Sequence, residues 1–186
     1  MAVTSFKYAG TAANADRDGK PAWNNPDYAK TGDMISADCS IDKNDYSDWL
    51  RLTNFGFSSS DIPTGSTING IEVEIWRRAP TPTSTISDSA IYLRKSTGQT
   101  GDNKASGDAW LLADITGKTY GGSTDMWGTS LTQSDITSST FGIDLSAYYS
   151  GALSATATAL VYYIRIRVYY TEGPPPVTRR IFITHQ

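Results

Sequence analysis

The sequence predicts an all-β fold: a single antiparallel β-sandwich of jelly-roll or Greek-key type with an extended C-terminal tail. Three observations point there. Residues 161–171, VYYIRIRVYYT, alternate strictly, with Ile164, Ile166, Val168 and Tyr170 on one side and Tyr163, Arg165, Arg167 and Tyr169 on the other. That is the period-2 signature of a strand with one face on a core. Residues 69–78, NGIEVEIWRR, set Ile71, Val73 and Ile75 against Glu72, Glu74 and Trp76 in the same way. Turn-rich connections separate short apolar runs along the rest of the 186 residues, and no capped helical stripe exceeds about two turns. The outward Arg165 and Arg167 complement the outward Glu72 and Glu74. Opposite charges directly across a strand pair contribute about a few tenths of a kcal/mol and help to set register. The two strands are therefore expected to be antiparallel neighbours, a non-local pairing of the Greek-key kind.

Taken in order, residues 1–33 read as a loop-rich segment packed on the sandwich. The run NADRDGKPAWNNPDYAKTGD is dense in Asn, Asp, Gly and Pro, each a turn former for its own backbone reason. Trp23 and Tyr28 are its anchors. Strands are expected at 34–39 and 49–55, with Gly56 between two phenylalanines marking a bend. Pro63-Thr64-Gly65 turns the chain into a strand at 68–78. APTPTST is an exposed loop, because its prolines cannot join a sheet interior. Residues 86–95 form the next strand. The polar loop Ser96 to Asp108 is a natural place for mobility or binding. Short strands follow at 109–113 and 126–131, then one helical or 3₁₀ turn at 134–138 capped by Ser134 or Asp135. A strand at 141–145 and the final strand complete a domain spanning 1–172. Residues 173–186 form a Pro-linked arm. Gly173-Pro174-Pro175-Pro176 stiffens toward polyproline II, and Val177, Ile181, Phe182 and Ile183 are too apolar for a free tail. Two placements stay open for it: a strand added to a neighbouring subunit, or a fold-back onto its own sandwich.

The net charge of −3 carries no basic surplus, which argues against binding nucleic acid by phosphate neutralisation. No run approaches the ~18 apolar residues of a membrane span. The opening MAVTSFKYAG lacks the apolar core of a signal peptide, so synthesis in the cytoplasm is expected. Cys39, the single cysteine, excludes an internal disulfide and reads as a small buried hydrophobe.

No enzyme is expected. The one histidine, His185, lies beyond the prolines, where a rigid, partly desolvated catalytic site cannot be built. No nucleophile elbow, zinc set, P-loop or dinucleotide fingerprint occurs. Glu72 and Glu74 could pair for glycoside hydrolysis, but with arginines opposite they read as a structural ladder. Residues 14–19, NADRDG, copy the start of a calcium loop, yet Asn25 stands where the bidentate Glu belongs. A plain turn is the better reading, and no metal or cofactor is expected. Of the five tryptophans, Trp23, Trp49, Trp110 and Trp127 read as core or loop anchors. Trp76 falls on the outer face, and several Trp and Tyr side chains sharing one exposed patch would mark an interface.

The motifs WLRLTNFGF, IPTGSTINGIEVEIWRRA, SDSAIYLRKSTGQTGDNKA, YGGSTDMWG, SDITSSTFGIDL and YYIRIRVYYT, preceded by AWNNPDYA, resemble a family of small all-β virion proteins of tailed bacteriophages. The resemblance runs from Pro21 to Thr171. It implies a β-sandwich virion component on the capsid surface, either a decoration (cement) protein or a fibre module. As cement it would contact the major capsid protein and copies of itself, as a homotrimer. As a tail-fibre, head-fibre or baseplate module it would bind host-surface glycans. No catalytic motif is implied. The residues expected to meet a partner are Trp76 and, in the arm, Arg179, Arg180, Ile181, Phe182 and Ile183.

Overall fold

The computed structural model describes residues 1–81, 85–151 and 155–174. Two antiparallel sheets face each other. In chain order the strands are β1 (Ala2–Val3), β2 (Lys7–Tyr8), β3 (Thr11–Ala15), β4 (Ala37–Asp42), β5 (Asp45–Tyr46), β6 (Trp49–Thr53), β7 (Thr67–Arg78), β8 (Ile86–Lys95), β9 (Gly98–Thr100), β10 (Thr116–Gly121), β11 (Gly142–Tyr149) and β12 (Thr156–Thr171). A 3₁₀ turn covers Pro26–Lys30 and one short helix, α1, covers Gln133–Thr137.

The first sheet runs β1-β12-β7-β10, with β2 and β4 also paired to β12. The second runs β3-β6-β11-β8-β9, with β5 paired to β11. Neighbours distant in sequence, such as β7 beside β12 and β6 beside β11, are what a Greek-key or jelly-roll sandwich requires. Between the sheets, Ile71, Val73, Ile75, Ile164, Ile166 and Val168 of the first meet Leu50, Leu52, Ile91, Leu93, Ile143 and Leu145 of the second, all with no exposed surface. This is the interdigitated core of two packed sheets.

The strand bounds differ from expectation where local pattern and tertiary demand part. Residues 1–33 are not simply loop: β3 pairs with β6, and β1 and β2 join the later β4 along one edge of the long β12, each satisfying part of it, because backbone groups beside a core must find partners. The strand expected at 34–39 starts later, at Ala37; Met34 sits at φ 66 and stays exposed with Ile35. Residues 109–113 and 126–131 form no strand. Trp110 and Trp127 are single buried plugs instead, and Trp127 lies at φ 56. Besides β12, β7 pairs with β10, a strand in a stretch whose sequence has no strand pattern. Gly117 is needed there: a Cβ would come within 2.6 Å of Trp76 Nε1 and 2.8 Å of Glu74 Oε1, so the missing side chain lets Trp76 lie across β10. The helical turn is capped by Thr132 rather than Ser134 or Asp135. Thr132 Oγ1 accepts from the Asp135 backbone N–H, and Asp135 accepts in return from the Thr132 N–H at 2.8 Å, a reciprocal box.

Candidate interaction face

The outward side of the first sheet gathers the residues singled out on β7 and β12. The register sets Arg165 opposite Glu74 and Arg167 opposite Glu72. Arg165 Nη2 lies 2.6 Å from Glu74, and Arg167 Nη2 lies 2.9 Å from Glu72. The aromatic residues of the same strands complete the lattice. Tyr169 donates its hydroxyl to Glu72 at 2.7 Å, and Trp76 Nε1 donates to Glu74. Trp76 stacks on Tyr163 with centroids 5.3 Å apart, and Tyr8 meets Tyr163 edge-on at 5.6 Å. Phe6, carried across by the segment between β1 and β2, lies under both guanidiniums, 4.4 Å from that of Arg165 and 4.6 Å from that of Arg167.

The electrostatics follow from this crowding. Burial works against the Arg165 charge, but the hydrogen bond and charge of Glu74 outweigh it and hold the guanidinium above its usual pKa. The Tyr169 phenol is raised, first by its hydrogen bond to Glu72 and then by burial. Tyr163 is raised by burial. Val3 and Tyr8, across from Tyr169 and Arg165 on β12, are left exposed at the edge of this face, and Tyr28, Met34 and Ile35 are large apolar side chains exposed as well. The loop carrying the last two passes beside Tyr8, since a methyl group on Gly32 would approach the Tyr8 hydroxyl to 3.0 Å. Tyr28, expected to pin the N-terminal segment, is thus a surface residue at 42% exposure. Trp23 does that work, buried and donating from Nε1 to Ser47 Oγ and the Asp48 carbonyl.

Arg179, Arg180, Ile181, Phe182, Ile183 and His185 lie outside the described residues. Asn14 and Asp16 of the calcium-like run serve the protein's own backbone: Asn14 Oδ1 accepts from the Trp23 N–H and Asp16 from the Gly19 N–H. Among the described residues, no group of three or more His, Cys, Asp or Glu is placed to hold a metal ion. No helix among them is long and apolar enough to cross a membrane. The Ser96–Asp108 loop, a natural place for mobility or binding, carries β9 and beyond it is fastened to the edge of β8. Asn103 Oδ1 accepts from the Ile91 N–H, the Lys104 N–H reaches the Ile91 carbonyl, and the Ser106 N–H reaches Asp88.

A buried ion pair went unread in the sequence. Arg77 and Asp88 are both inside, bonded to each other, and Asp88 also accepts from Trp110 Nε1 at 2.9 Å and the Tyr120 hydroxyl at 2.7 Å. The signal was present: Arg77 continues the inward phase of Ile71, Val73 and Ile75, and Asp88 that of Ile86. The outer side of the second sheet also holds more than expected. Trp49 is only half-buried and meets Tyr92 edge-on at 6.2 Å. The Arg17 guanidinium lies between the rings of Tyr46 and Trp49, at 4.1 and 4.4 Å. Nearby, Arg51 and Arg94 share the buried Asp144.

No family model matches the chain, and no curated protein matches it. Among solved structures it is similar to the CBM22-1 xylan-binding domain from Paenibacillus barcinonensis Xyn10C, at 13% identity and TM-score 0.40, covering 90% of this chain and 94% of that one. It is also similar to a chain of an exo-beta-agarase, at 11% identity and TM-score 0.42, covering 92% of this chain and 26% of that one. A chain of the infectious bursal disease virus Gt strain gives 12% identity and TM-score 0.36, covering 90% of this chain and 32% of that one. Likenesses this distant decide nothing about what this chain binds.

An open pocket of about 520 Å³ lies at one end of β7. Ile68, Met126 and Leu131 supply its apolar part, and Ser66, Thr67, Ser130, Thr132, Gln133 and Ser134 supply hydroxyls and an amide. Ser66 Oγ is shielded from water and has no hydrogen-bond partner among the described residues.

Proposed function

We propose that the chain is a structural protein of a tailed-phage virion, a capsid decoration (cement) protein that stabilises the head lattice by protein–protein contact. Its partners in this reading are the major capsid protein and copies of itself, as a homotrimer. It acts by binding and carries no catalysis. The observation that carries the reading is the aromatic and arginine-rich outer face of the first sheet with its exposed apolar margin. Tyr, Trp and Arg are the residues enriched where proteins meet. The charges of the face are paired with one another, so a partner covering it would strand no ion, which is the main cost of burying charge. One face of Trp76 is taken up by Tyr163, which leaves it less suited to stack on a sugar ring than on a flat protein surface.

The test is the copy number per purified particle, measured by quantitative mass spectrometry against the major capsid protein. Amounts near those of the capsid protein are expected. A few to a few dozen copies per particle would move the chain to a tail or vertex and sink the cement reading.

A second reading, a fibre module that binds host glycans, is favoured by the half-buried Trp49 and Tyr92 on the outside of the second sheet. Specific binding on a glycan array, lost in Trp49→Ala, is its expected mark.

A further inference from the structure

We propose that the pocket between the start of β7 and the turn before α1 is the acceptor for residues 177–183 of a second copy of this chain. The first argument is where the chain leaves. Gly173, two residues past β12, is packed directly on Gly65 at the pocket's lip. The chain therefore reaches residue 173 at the rim of a part-apolar pocket.

The second argument is chemical fit. The segment VTRRIFI carries Ile181, Phe182 and Ile183, and the pocket offers Ile68, Met126 and Leu131 to cover them. At about 520 Å³ it falls in the size range of ligand-sized clefts. Its rim of hydroxyls and the Gln133 amide suits an incoming backbone, which brings its own donors and acceptors. The unpartnered Ser66 Oγ is one group such a backbone could satisfy. Asp135, next to Ser134 of the rim, gives Arg179 and Arg180 an acidic neighbour.

The third argument selects a second copy over the chain's own pocket. Pro174, Pro175 and Pro176 favour an extended stem of about 3 Å per residue. To return, the chain would have to reverse within Val177-Thr178-Arg179-Arg180. None of those is a Gly, Pro, Asn or Asp, the residues that reverse a chain cheaply. A stem with that preference favours reaching a neighbour over returning, and each copy would then both offer an arm and present a pocket. Repeated around a ring, this exchange closes a symmetric oligomer.

The inference deepens the cement reading by naming a contact between copies, and its test is independent of particle copy number. Full-length protein carrying Phe182→p-benzoylphenylalanine is prepared in isotopically heavy and light forms, mixed, irradiated and digested. Heavy–light cross-links from position 182 to Met126, Leu131 or their neighbours are expected. Ser130→Trp, an exposed rim change that fills the pocket without touching the core, is expected to cut that yield by about tenfold or more, equivalent to losing one well-buried apolar contact. Cross-links confined within single chains would overturn the exchange. Cross-links between chains at any other surface, or no effect of Ser130→Trp, would overturn the pocket as acceptor. If the exchange stands while particle copy number is low, the arm contact holds and the cement reading alone falls.

Discussion

Asp88 holds four donors at once: the Arg77 guanidinium, the Trp110 indole, the Tyr120 hydroxyl and the Ser106 amide. Truncating it would leave a buried guanidinium without its counter-ion. Asp88→Ala is expected to cost about 3–5 kcal/mol in a denaturant titration. The Glu72–Arg167 pair, at 34% exposure on its Arg side chain, is a contrast. A double-mutant cycle there should return a coupling of no more than about 1 kcal/mol. Burial pushes both the Cys39 thiol and the Tyr120 phenol up to about 12. In each the protonated form is favoured by folding, so the stabilisation is full below the unfolded pKa. It is lost as pH rises, from about 9 for the thiol and about 10 for the phenol, toward 12. Stability should therefore fall across that alkaline window, and Tyr120→Phe should remove part of the fall. Cys39 should resist thiol reagents at pH 8 until the protein unfolds. At this scale the sequence was half legible. The Glu–Arg ladder could be read because outward charges in two alternating strands announce themselves. Arg77 and Asp88 could not be matched, because a buried charge interrupting an apolar phase shows only that a partner is needed, never which one.

Elements were legible where one face is core and the other is water. The strands β6, β7, β8 and β12 have that alternation over five or more residues, and they were found. Four strands of two or three residues, β1, β2, β5 and β9, exist only because a longer neighbour supplies their partners, and no local pattern can encode that. β10 was hidden by its glycines: the missing side chain of Gly117 makes room for Trp76 and Glu74, and Gly121, at φ 72 and against Trp127, leads into the reversal bridged by Gly122 and Asp125. The order of the Ser96–Asp108 loop is hidden for a related reason: beyond the short β9, Asn103 Oδ1 and two backbone amides continue the pairing along that edge of β8. Asn103→Ala should therefore raise the hydrogen-exchange rate of the Ile91 amide by about tenfold, the loss of roughly one buried hydrogen bond, while exchange in β11 stays unchanged.

For the molecule as a whole, β12 is the common member of the first sheet, pairing with β1, β2, β4 and β7. Shortening its core side chains should be felt throughout. Ile164→Ala is expected to lower stability by about 2–5 kcal/mol, whereas Val3→Ala at the exposed margin should stay within about 0.5 kcal/mol. The sandwich was legible at this scale because one complementary strand pair, far apart in sequence, already demands a crossover topology. The aromatic face was not, since Phe6 and Tyr8 come to it from a segment with no strand-like pattern of its own. That placement bears on how the protein is made. Thr4 and Val168 bond to each other across 164 residues, and β12 lies far downstream of nearly everything it holds. While the ribosome is still upstream of residue 156, the second sheet has all its strands but the first has no centre, and contacts so distant in sequence form slowly. A nascent chain thus lacks the finished aromatic face, and any contact made through that face, as proposed above, must wait until β12 has been synthesised and folded.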